Sequence, residues 1–394
     1  MTDSTPFRVL MVLNTYQYGG AERYTVSLAK GLRNRDVDVR VVCPTRGGLR
    51  ENLLLNGIKT YDLDLGLKIG RYRGLEIFFP RVSIYASHRL REFLTKCYKE
   101  WKFDLIHLQF LMEKFFGTPI AVRMNIPVVW TMHGALPGWY RFNPRLRKLY
   151  KKSGNMAKKI ICVSEAARRF ETDNIGIDKN RTCVVHNGIE LSTFVNARIK
   201  DDALLKSLNL TPDDFIVGII CQVYKQKGHD ILVQAIRSAV KKNNKIKCLV
   251  VGTGPYLETM KRKVKQHKLD AVFRFTGFRK DVQELTGVSD VIISPSRSKS
   301  EGMPLRLIES MATGIPVIAT DVGGTQEAFT DKEEGWILPP NRPGLLASIL
   351  LNVSKDKDAL LSAGKKAKIR AVSEFDVNIM VDKTLEIFKN SLKL

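Results

Sequence analysis

The strongest constraint on the fold is an alternation of short apolar runs and helical segments that occurs twice along the chain. In the first half, apolar runs cover residues 8–13, 37–44, 104–108, 127–131, 159–163 and 182–186. In the second half they return at residues 215–220, 246–251, 273–276, 291–294 and 316–319. Segments with helical spacing, such as residues 21–32 and 228–241, lie between them. Strands that alternate with helices form parallel sheets, so the pattern predicts an α/β protein with two doubly wound, Rossmann-like domains.

The polar stretch of residues 187–214 is the predicted connection between the two halves, because it contains turn signals such as Asn187-Gly188. We expect an N-terminal domain over residues 1–190, a C-terminal domain over residues 191–370, and a C-terminal helix over residues 371–394 that packs back on the N-terminal domain. Ligands of doubly wound sheets bind at the carboxyl ends of the strands. A site shared by two such domains is therefore expected in the cleft between them.

The chain is strongly basic, with 64 Lys and Arg against 40 Asp and Glu and a net charge of +24. Such an excess indicates an anionic partner: nucleic acid, an anionic membrane or a phosphorylated substrate. Residues 66–159 alone hold 19 basic and 5 acidic side chains. Within them, residues 89–102 have the spacing of a basic amphipathic helix, which is typical either of a core-facing helix or of a membrane-surface helix. For residues 71–81 and 141–152, an ordinary solvated surface and a membrane or lipid-diphosphate surface both stay open.

Several classes of protein are excluded by the sequence. The first apolar run is interrupted by Arg8, so it does not resemble the core of a signal peptide. Uncharged apolar runs are much shorter than the roughly 20 residues that span a bilayer. The six cysteines lie far apart without a CxxC pair, which predicts a reduced, cytoplasmic chain with no structural metal.

The most informative segment runs from a strand at residues 290–294 through Glu301-Gly302-Met303-Pro304 into a helix. Pro304 suits the first helical position, where a missing N–H costs nothing. The N–H groups at the start of this helix then form a binding site for a diphosphate. Glu301 lies in the loop and Glu309 one to two turns into the helix, and carboxylates accept hydrogen bonds from sugar hydroxyls. The alternative is that Glu309 is a surface residue and Glu301 a favourable charge at a helix start.

Further motifs accompany this segment in a fixed order. They are Gly19-Gly20-Ala21-Glu22, Thr131-Met132-His133-Gly134, His186-Asn187-Gly188-Ile189, Lys227-Gly228, Val251-Gly252-Thr253-Gly254-Pro255 and Gly277-Phe278-Arg279-Lys280-Asp281. Together with the two glutamates seven residues apart, the ordered set resembles the retaining family 4 glycosyltransferases. This resemblance covers nearly the whole chain and implies the GT-B fold, in which two Rossmann-like domains face each other across a cleft.

The resemblance implies roles for the matching residues. Glu301 would contact hydroxyls of the transferred sugar, Lys227 the diphosphate, and His133 the sugar from the opposite wall of the cleft. Glu309 would bind the ribose, while backbone groups of the helix start would bind the diphosphate. The donor-binding residues are therefore expected to be Gly19, Gly20, Gln222, Gly302, Met303, Pro304, Leu305 and Glu309.

One position departs from the family pattern. Many members carry an arginine five residues before the lysine, whereas this chain has Gln222, a neutral amide. Lys227, the helix start and a further cation such as Lys225 or Arg297 would then have to bind the diphosphate. Two weaker candidates for acceptor binding are Glu22, which also suits the start of its helix, and His107, which also suits a buried polar role.

The predicted function is transfer of a sugar, with retention, from a nucleotide sugar to a glycan or lipid-linked acceptor in cell-surface polysaccharide or glycolipid synthesis. The resemblance implies front-face departure of the nucleoside diphosphate, without a protein nucleophile. No cofactor and no metal are expected, and the partners are the donor, the acceptor and an anionic membrane at the cytoplasmic face. Two alternatives remain: a non-catalytic sugar-nucleotide-binding subunit, and a basic nucleic-acid-binding protein on the same fold. The second lacks a zinc knuckle or helix-turn-helix signature, so no nucleic-acid partner is expected.

Overall fold

The computed structural model describes residues 6–16, 18–63, 65, 80–136, 143–298 and 300–393. The chain divides into two compact units: Met1–Gly188 with Val377–Leu394, and Ile189–Asp376. The basic stretch of residues 71–81 falls almost wholly outside the described residues, as do residues 141 and 142. Among the described helices, none combines the length and the apolar character needed to cross a bilayer.

Within its described residues, the first unit contains a seven-stranded parallel sheet in the order β3-β2-β1-β4-β5-β6-β7. The strands are β1 (Arg8–Val12), β2 (Asp38–Cys43), β3 (Lys59–Asp62), β4 (Leu105–Leu108), β5 (Val128–Met132), β6 (Lys159–Cys162) and β7 (Thr182–Val184). The helices are α1 (Gly20–Arg33), α2 (Gly48–Leu55), α3 (Pro80–Trp101), α4 (Leu111–Arg123), α5 (Pro144–Met156) and α6 (Glu165–Arg169). A π-helical turn, Phe170–Ile175, follows α6.

Helices cover both faces of this sheet, because every strand is apolar on both sides. Successive side chains of a strand point to opposite faces. In β1, Val9 and Met11 enter one buried cluster while Leu10 and Val12 enter the other. The first cluster includes residues of α1, and the second includes residues of α3, α4 and α5. This two-sided burial explains the continuous apolar runs in the sequence.

Within its described residues, the second unit contains a six-stranded parallel sheet in the order β10-β9-β8-β11-β12-β13. The strands are β8 (Phe215–Ile220), β9 (Ile246–Val251), β10 (Phe273–Gly277), β11 (Val291–Ser294), β12 (Val317–Thr320) and β13 (Gly335–Leu338). The helices are α7 (Asp202–Ser207), α8 (His229–Ala239), α9 (Leu257–Gln266), α10 (Val282–Gly287), α11 (Leu305–Thr313), α12 (Thr325–Ala328), α13 (Pro343–Val353) and α14 (Lys357–Glu374). Short 3₁₀ turns include Lys225–Lys227.

In each sheet the strand order reverses beside the first strand of the unit. The reversal lies between β1 and β4 in the first sheet and between β8 and β11 in the second. Such a switch point opens a crevice at the carboxyl ends of the strands, where doubly wound proteins bind their ligands. The loops after β1, β4 and β5, and those after β8 and β11, are therefore the places to look for a site.

The last helix, α15 (Val377–Asn390), belongs to the first unit. It packs on α1 so closely that a Cβ added to Gly31 would lie 2.4 Å from Cγ2 of Val381. An ion pair of 2.5 Å between Arg35 and Asp382 joins the same two segments. The chain thus enters the second unit at Ile189 and returns to the first at Val377.

Candidate active site

The centre of the site in the second unit is an ion pair between Lys227 and Glu301. Nζ of Lys227 lies 2.6 Å from Oε1 of Glu301, although the two residues are 74 positions apart. Oγ of Ser296 donates to the same carboxylate oxygen at 2.9 Å. Burial alone would lower the pKa of Lys227, but the Glu301 carboxylate outweighs it and the pKa is raised. Lys227 is therefore charged and ready to bind an anion.

Two glycines allow the loops that carry these side chains to meet. Gly228 has φ of +74°, and a Cβ there would lie 1.8 Å from the carbonyl oxygen of Pro295. Gly323 has φ of +56°, and a Cβ there would lie 1.8 Å from the carbonyl oxygen of Glu301. Positive φ and the absence of a Cβ are both properties of glycine. The Lys227-Gly228 motif thus holds the lysine against the loop that follows β11.

Helix α11 begins one residue later than the sequence predicted. Pro304 was expected at the first helical position, but its ψ of 115° is extended and it caps the helix, whose first residue is Leu305. A proline at the cap still leaves the N–H groups of the first turn at the helix start, because the proline itself contributes none. Gly302 and Met303 precede the cap, and both are buried.

Glu309 lies in the second turn of α11 and has no exposed surface. It is therefore not the surface residue of the alternative interpretation. Its Oε2 pairs with Nη1 of Arg306 at 2.5 Å, and the Arg306 side chain is 21% exposed. A buried carboxylate needs such a partner, because an isolated buried charge is costly.

The neutral position Gln222 lies just after β8 and is exposed. Two cations were predicted to compensate for it. Arg297 is engaged elsewhere, since its Nη atoms donate to both oxygens of Asp230 at 2.7 and 2.8 Å and its Nε donates to Asn341 at 2.5 Å. Lys225 is exposed at the first position of the 3₁₀ turn before Gly228.

In the first unit, the predicted glycine loop leads into α1. Gly19 caps this helix with φ of −131°, a conformation open to any residue, so closeness to a ligand rather than conformation is the reason to expect glycine here. Glu22 is buried, and its carboxylate accepts from Oγ1 of Thr15 at 3.0 Å and from the Gly19 N–H at 2.9 Å. The bond to Gly19 is that of a capping box, which gives Glu22 a structural role.

His133 follows β5, where it is half-buried. Its Nε2 lies 2.8 Å from Oε1 of Gln109, and its ring meets Tyr24 edge-on at 4.9 Å. Burial lowers the pKa of His133 to about 3, and the charge of Lys114 lowers it further. The ring is therefore neutral near pH 7 and suited to hydrogen bonding with an uncharged hydroxyl.

Two adjacent charged residues of α4 support this edge of the sheet. Lys114 is 2% exposed, and its Nζ lies 2.7 Å from the carbonyl oxygen of Thr131, two residues before His133. Glu113 is 1% exposed and accepts from the N–H of Asn14, where the loop after β1 begins. Both side chains thus fix backbone that carries predicted site residues.

His107 is fully buried in β4 and has no exposed surface. Its Nε2 lies 2.7 Å from Oγ1 of Thr131, and its ring packs against Phe388 of α15 at 5.1 Å. Burial lowers the pKa of His107 to about 3. The acceptor contact predicted for His107 stays a prediction, and these contacts favour a supporting role.

Several residues of the site were not singled out from the sequence: Arg306, Ser296, Gln109, Glu113 and Lys114. Arg306 had a local signal, because residues three apart on a helix are neighbours and Glu309 follows it by three. The others act through partners far away in sequence, which spacing does not reveal. Among the described residues, no group of three or more His, Cys, Asp or Glu side chains is arranged to hold a metal ion.

Two protein-family models match the chain, one in each unit. The model described as Glycosyltransferase Family 4 matches residues 18–193, and that described as Glycosyl transferases group 1 matches residues 200–370. The chain belongs to glycosyltransferase family 4. The predicted family and the predicted enzyme class, a glycosyltransferase, are thereby confirmed.

Curated relatives of this family 4 glycosyltransferase match over nearly their whole length. One is UDP-Gal:alpha-D-GlcNAc-diphosphoundecaprenol alpha-1,3-galactosyltransferase of Escherichia coli, 22% identical, with 94% of this chain and 93% of the relative covered. Another is N,N'-diacetylbacillosaminyl-diphospho-undecaprenol alpha-1,3-N-acetylgalactosaminyltransferase of Campylobacter jejuni, 25% identical, with coverage of 97% and 100%.

A solved structure similar to this family 4 glycosyltransferase is that of Anabaena HepE in complex with UDP. The TM-score is 0.82 at 20% identity, over 98% of this chain and all of HepE. This likeness concerns the fold, and with the two parallel sheets it confirms the predicted α/β class and GT-B architecture of two Rossmann-like domains.

Proposed function

We propose that this glycosyltransferase transfers a sugar, with retention of anomeric configuration, from a nucleotide sugar to a lipid-linked or glycan acceptor in the synthesis of a cell-surface polysaccharide or glycolipid. The observation that carries the proposal is the Lys227–Glu301 pair, 2.6 Å apart at the carboxyl edge of the second sheet. A sugar diphosphate offers an anion to the lysine and hydroxyls to the carboxylate. The pair and the start of α11 together match both halves of such a ligand.

In this proposal, donor binding exchanges the ion pair for contacts with the ligand. Lys227 and the backbone of Gly302, Met303 and Leu305, beside the Pro304 cap, bind the diphosphate. Glu301 accepts hydrogen bonds from the transferred sugar, and Glu309 accepts them from the ribose. Gln222 contributes an amide hydrogen bond without charge. In the first unit, His133 bonds the sugar and Gly19-Gly20 approaches the phosphate.

The proposed reaction takes place on one face of the sugar. The bond between the anomeric carbon and the diphosphate oxygen breaks, and a bond from the acceptor hydroxyl oxygen to the same carbon forms on the same face. The departing phosphate oxygen takes the proton of the acceptor hydroxyl. Lys227 stabilises the negative charge that grows on the leaving diphosphate, which is where electrostatic catalysis is most effective. Glu301 binds hydroxyls and forms no covalent bond.

The lipid-linked acceptor is supported by two observations. The Escherichia coli and Campylobacter relatives carry diphosphoundecaprenol in their names. In addition, α5 of this chain exposes Arg145, Arg147, Lys148, Lys151 and Lys152 around a single apolar residue, Leu149, which is 51% exposed. Cations around an exposed leucine suit an anionic membrane surface or a lipid diphosphate.

Helix α3 contributes less to such a surface. Its apolar stripe is buried in the first unit, with Leu90, Leu94, Cys97 and Trp101 all at most 4% exposed. This is the core-facing helix of the two alternatives. Only its outer side, with Ile84 69% exposed, is available to a membrane among the helix residues whose side chains the structure describes.

We place the reaction at the cytoplasmic face of a membrane. The six cysteines are free thiols, which suits a reducing compartment. We also expect transfer without a cofactor or metal ion, because Lys227 and the start of α11 offer positive charge to the diphosphate.

A panel of nucleotide sugars tests the proposal on the wild-type protein. At least one is expected to raise the thermal midpoint, since a ligand that binds only the folded state stabilises it. The same donor should then release its nucleoside diphosphate when diphosphoundecaprenol-linked sugars are added. A donor that binds without turnover would indicate the non-catalytic alternative, and nucleic-acid binding without donor binding would indicate the other.

A further inference from the structure

Arg306 stands between Glu309 and the surface of the second unit. Glu309 has no exposed surface, and Nη1 of Arg306 pairs with its Oε2 at 2.5 Å. The Arg306 side chain itself is 21% exposed. A ligand that reaches the Glu309 carboxylate must therefore contact or displace Arg306.

Arg306 also faces the region of Lys227. Burial raises the pKa of the Cys221 thiol to about 11, while the charges of Lys227 and Arg306 act in the opposite direction and Glu301 adds to the rise. One buried thiol thus lies within electrostatic reach of all three groups. Cys221 is also the residue immediately before Gln222. The guanidinium therefore lies near the position where this chain lacks a cation.

Another cation nearby is already neutralised. Arg297 forms a two-point ion pair with Asp230, at 2.7 and 2.8 Å, and does not add net charge to the site. Lys225 is exposed, and water screens an exposed charge strongly. A guanidinium has five N–H donors in a planar fork, so pairing with one carboxylate oxygen uses only part of its capacity.

We propose that Arg306 is a nucleoside-diphosphate-binding residue, which pairs with Glu309 and at the same time presents a second positive charge to the diphosphate beside Lys227. This inference rests on the proposed function, since it assigns a further residue to the same donor site. It gives Arg306 the charge that Gln222 does not supply.

The test compares the affinities of UDP and GDP, measured by isothermal titration calorimetry, for wild type and Arg306→Met. A hydrogen bond to a charged group contributes about 1.5–3 kcal/mol. The nucleoside diphosphate that binds wild type is therefore expected to bind Arg306→Met about 10- to 100-fold more weakly. Its parent nucleoside, followed by ligand-observed NMR, should lose less than about threefold, because it carries no phosphate. Arg262→Met replaces an exposed arginine of α9 and should bind like wild type.

A double-mutant cycle separates binding of the diphosphate from support of Glu309. If Arg306 acted only by holding Glu309, Arg306→Met would have no further effect in a Glu309→Gln background. The proposal predicts a further loss of about tenfold there, and restoration of part of it by Arg306→Lys. Circular dichroism and the thermal midpoint of each variant show whether it is folded.

Two results would overturn the inference and are distinct from failure of the proposed function. If wild type binds UDP or GDP and Arg306→Met binds it equally well, Arg306 is not a donor-site residue. If Lys225→Met loses affinity and Arg306→Met does not, the second charge belongs to Lys225. If wild type binds no nucleoside diphosphate at all, the proposed function itself fails, and the inference with it.

Discussion

Gln109 fixes the orientation of His133: its Oε1 lies 2.8 Å from Nε2 of the imidazole. Gln109 is 3% exposed and is itself held by Thr25, whose Oγ1 lies 2.9 Å from the same oxygen. A residue of the loop after β4 thus positions a residue that follows β5. Neither the ring nor the amide carries charge, so the contact does not change between acidic and neutral solution.

Gln109→Glu is expected to make this contact depend on pH. A carboxylate beside His133 favours the imidazolium and raises its pKa from the value of about 3 that burial imposes. Transfer by the variant should fall as the pH drops through the raised pKa, whereas His133 in wild type stays neutral from about pH 5 to pH 8. A histidine-selective NMR titration measures this directly. Gln234→Glu, on an exposed face of α8, is the control, and an unchanged titration of His133 would refute the assignment.

Gly228→Ala is expected to damage the donor site through the backbone. The new Cβ would lie 1.8 Å from the Pro295 oxygen at a φ of +74°. Strain of this kind costs about 1–3 kcal/mol and pushes Lys227 away from the loop after β11. Thermal unfolding and donor titration measure the two effects. Gly344→Ala is the matched control, because a Cβ there meets nothing within 4 Å; equal behaviour of the two variants would contradict the close-approach argument.

The buried Glu171 predicts how the stability of the first unit depends on pH. Burial raises its pKa from 4.5 to about 7, against the opposing charge of Lys114. The folded state then holds a proton that the unfolded state has lost, so this contribution is complete below about pH 4.5 and is lost as the pH rises through about 7.

Glu171→Gln should therefore flatten the decline of the thermal midpoint between about pH 5 and pH 7. Glu333→Gln, an exposed substitution in the second unit, should leave the decline as in wild type. Differential scanning calorimetry over this range gives both slopes. A slope in Glu171→Gln equal to that of wild type would show that Glu171 does not titrate there.

Charge reversal on α5 tests the membrane surface. The triple variant Lys148→Glu, Lys151→Glu and Lys152→Glu should bind vesicles containing phosphatidylglycerol about 100-fold or more weakly, since each cation near an anionic surface contributes about 1 kcal/mol. Reversal of three exposed lysines of the second unit, Lys355, Lys357 and Lys365, is the control. Sedimentation at low salt measures binding. Equal binding by both triple variants would remove α5 from the membrane surface.

Most strands were predictable from the sequence, because burial on both faces demands continuous apolar runs. The two that were missed, β3 and β13, lie at sheet edges. In β3 no residue is fully buried, and its sequence, Lys-Thr-Tyr-Asp, has one aromatic side chain that packs on the core. An edge strand covered on one side needs few apolar residues, so its pattern is weak.

The site was predictable where a short motif carries it and not where distant residues meet. Glu301 and Lys227 belong to motifs, and the structure brings them together. The supports of the first unit, such as Lys114 on the Thr131 carbonyl, depend on which helix crosses which strand end. Spacing along the chain does not contain that information. The same holds for Arg297, which was predicted as a free cation and is engaged by Asp230.

Transfer kinetics of Lys227→Met and Glu301→Gln test the central claim most directly, with the donor identified by the nucleotide-sugar panel. Matched controls are Lys366→Met and Glu333→Gln, which break an exposed ion pair of 3.7 Å in the same unit. Loss of a group that stabilises the transition state costs about 100- to 1000-fold. We predict a fall of this size in kcat/KM for both site variants and near wild-type values for both controls. Wild-type kcat/KM in Lys227→Met and Glu301→Gln would contradict the account.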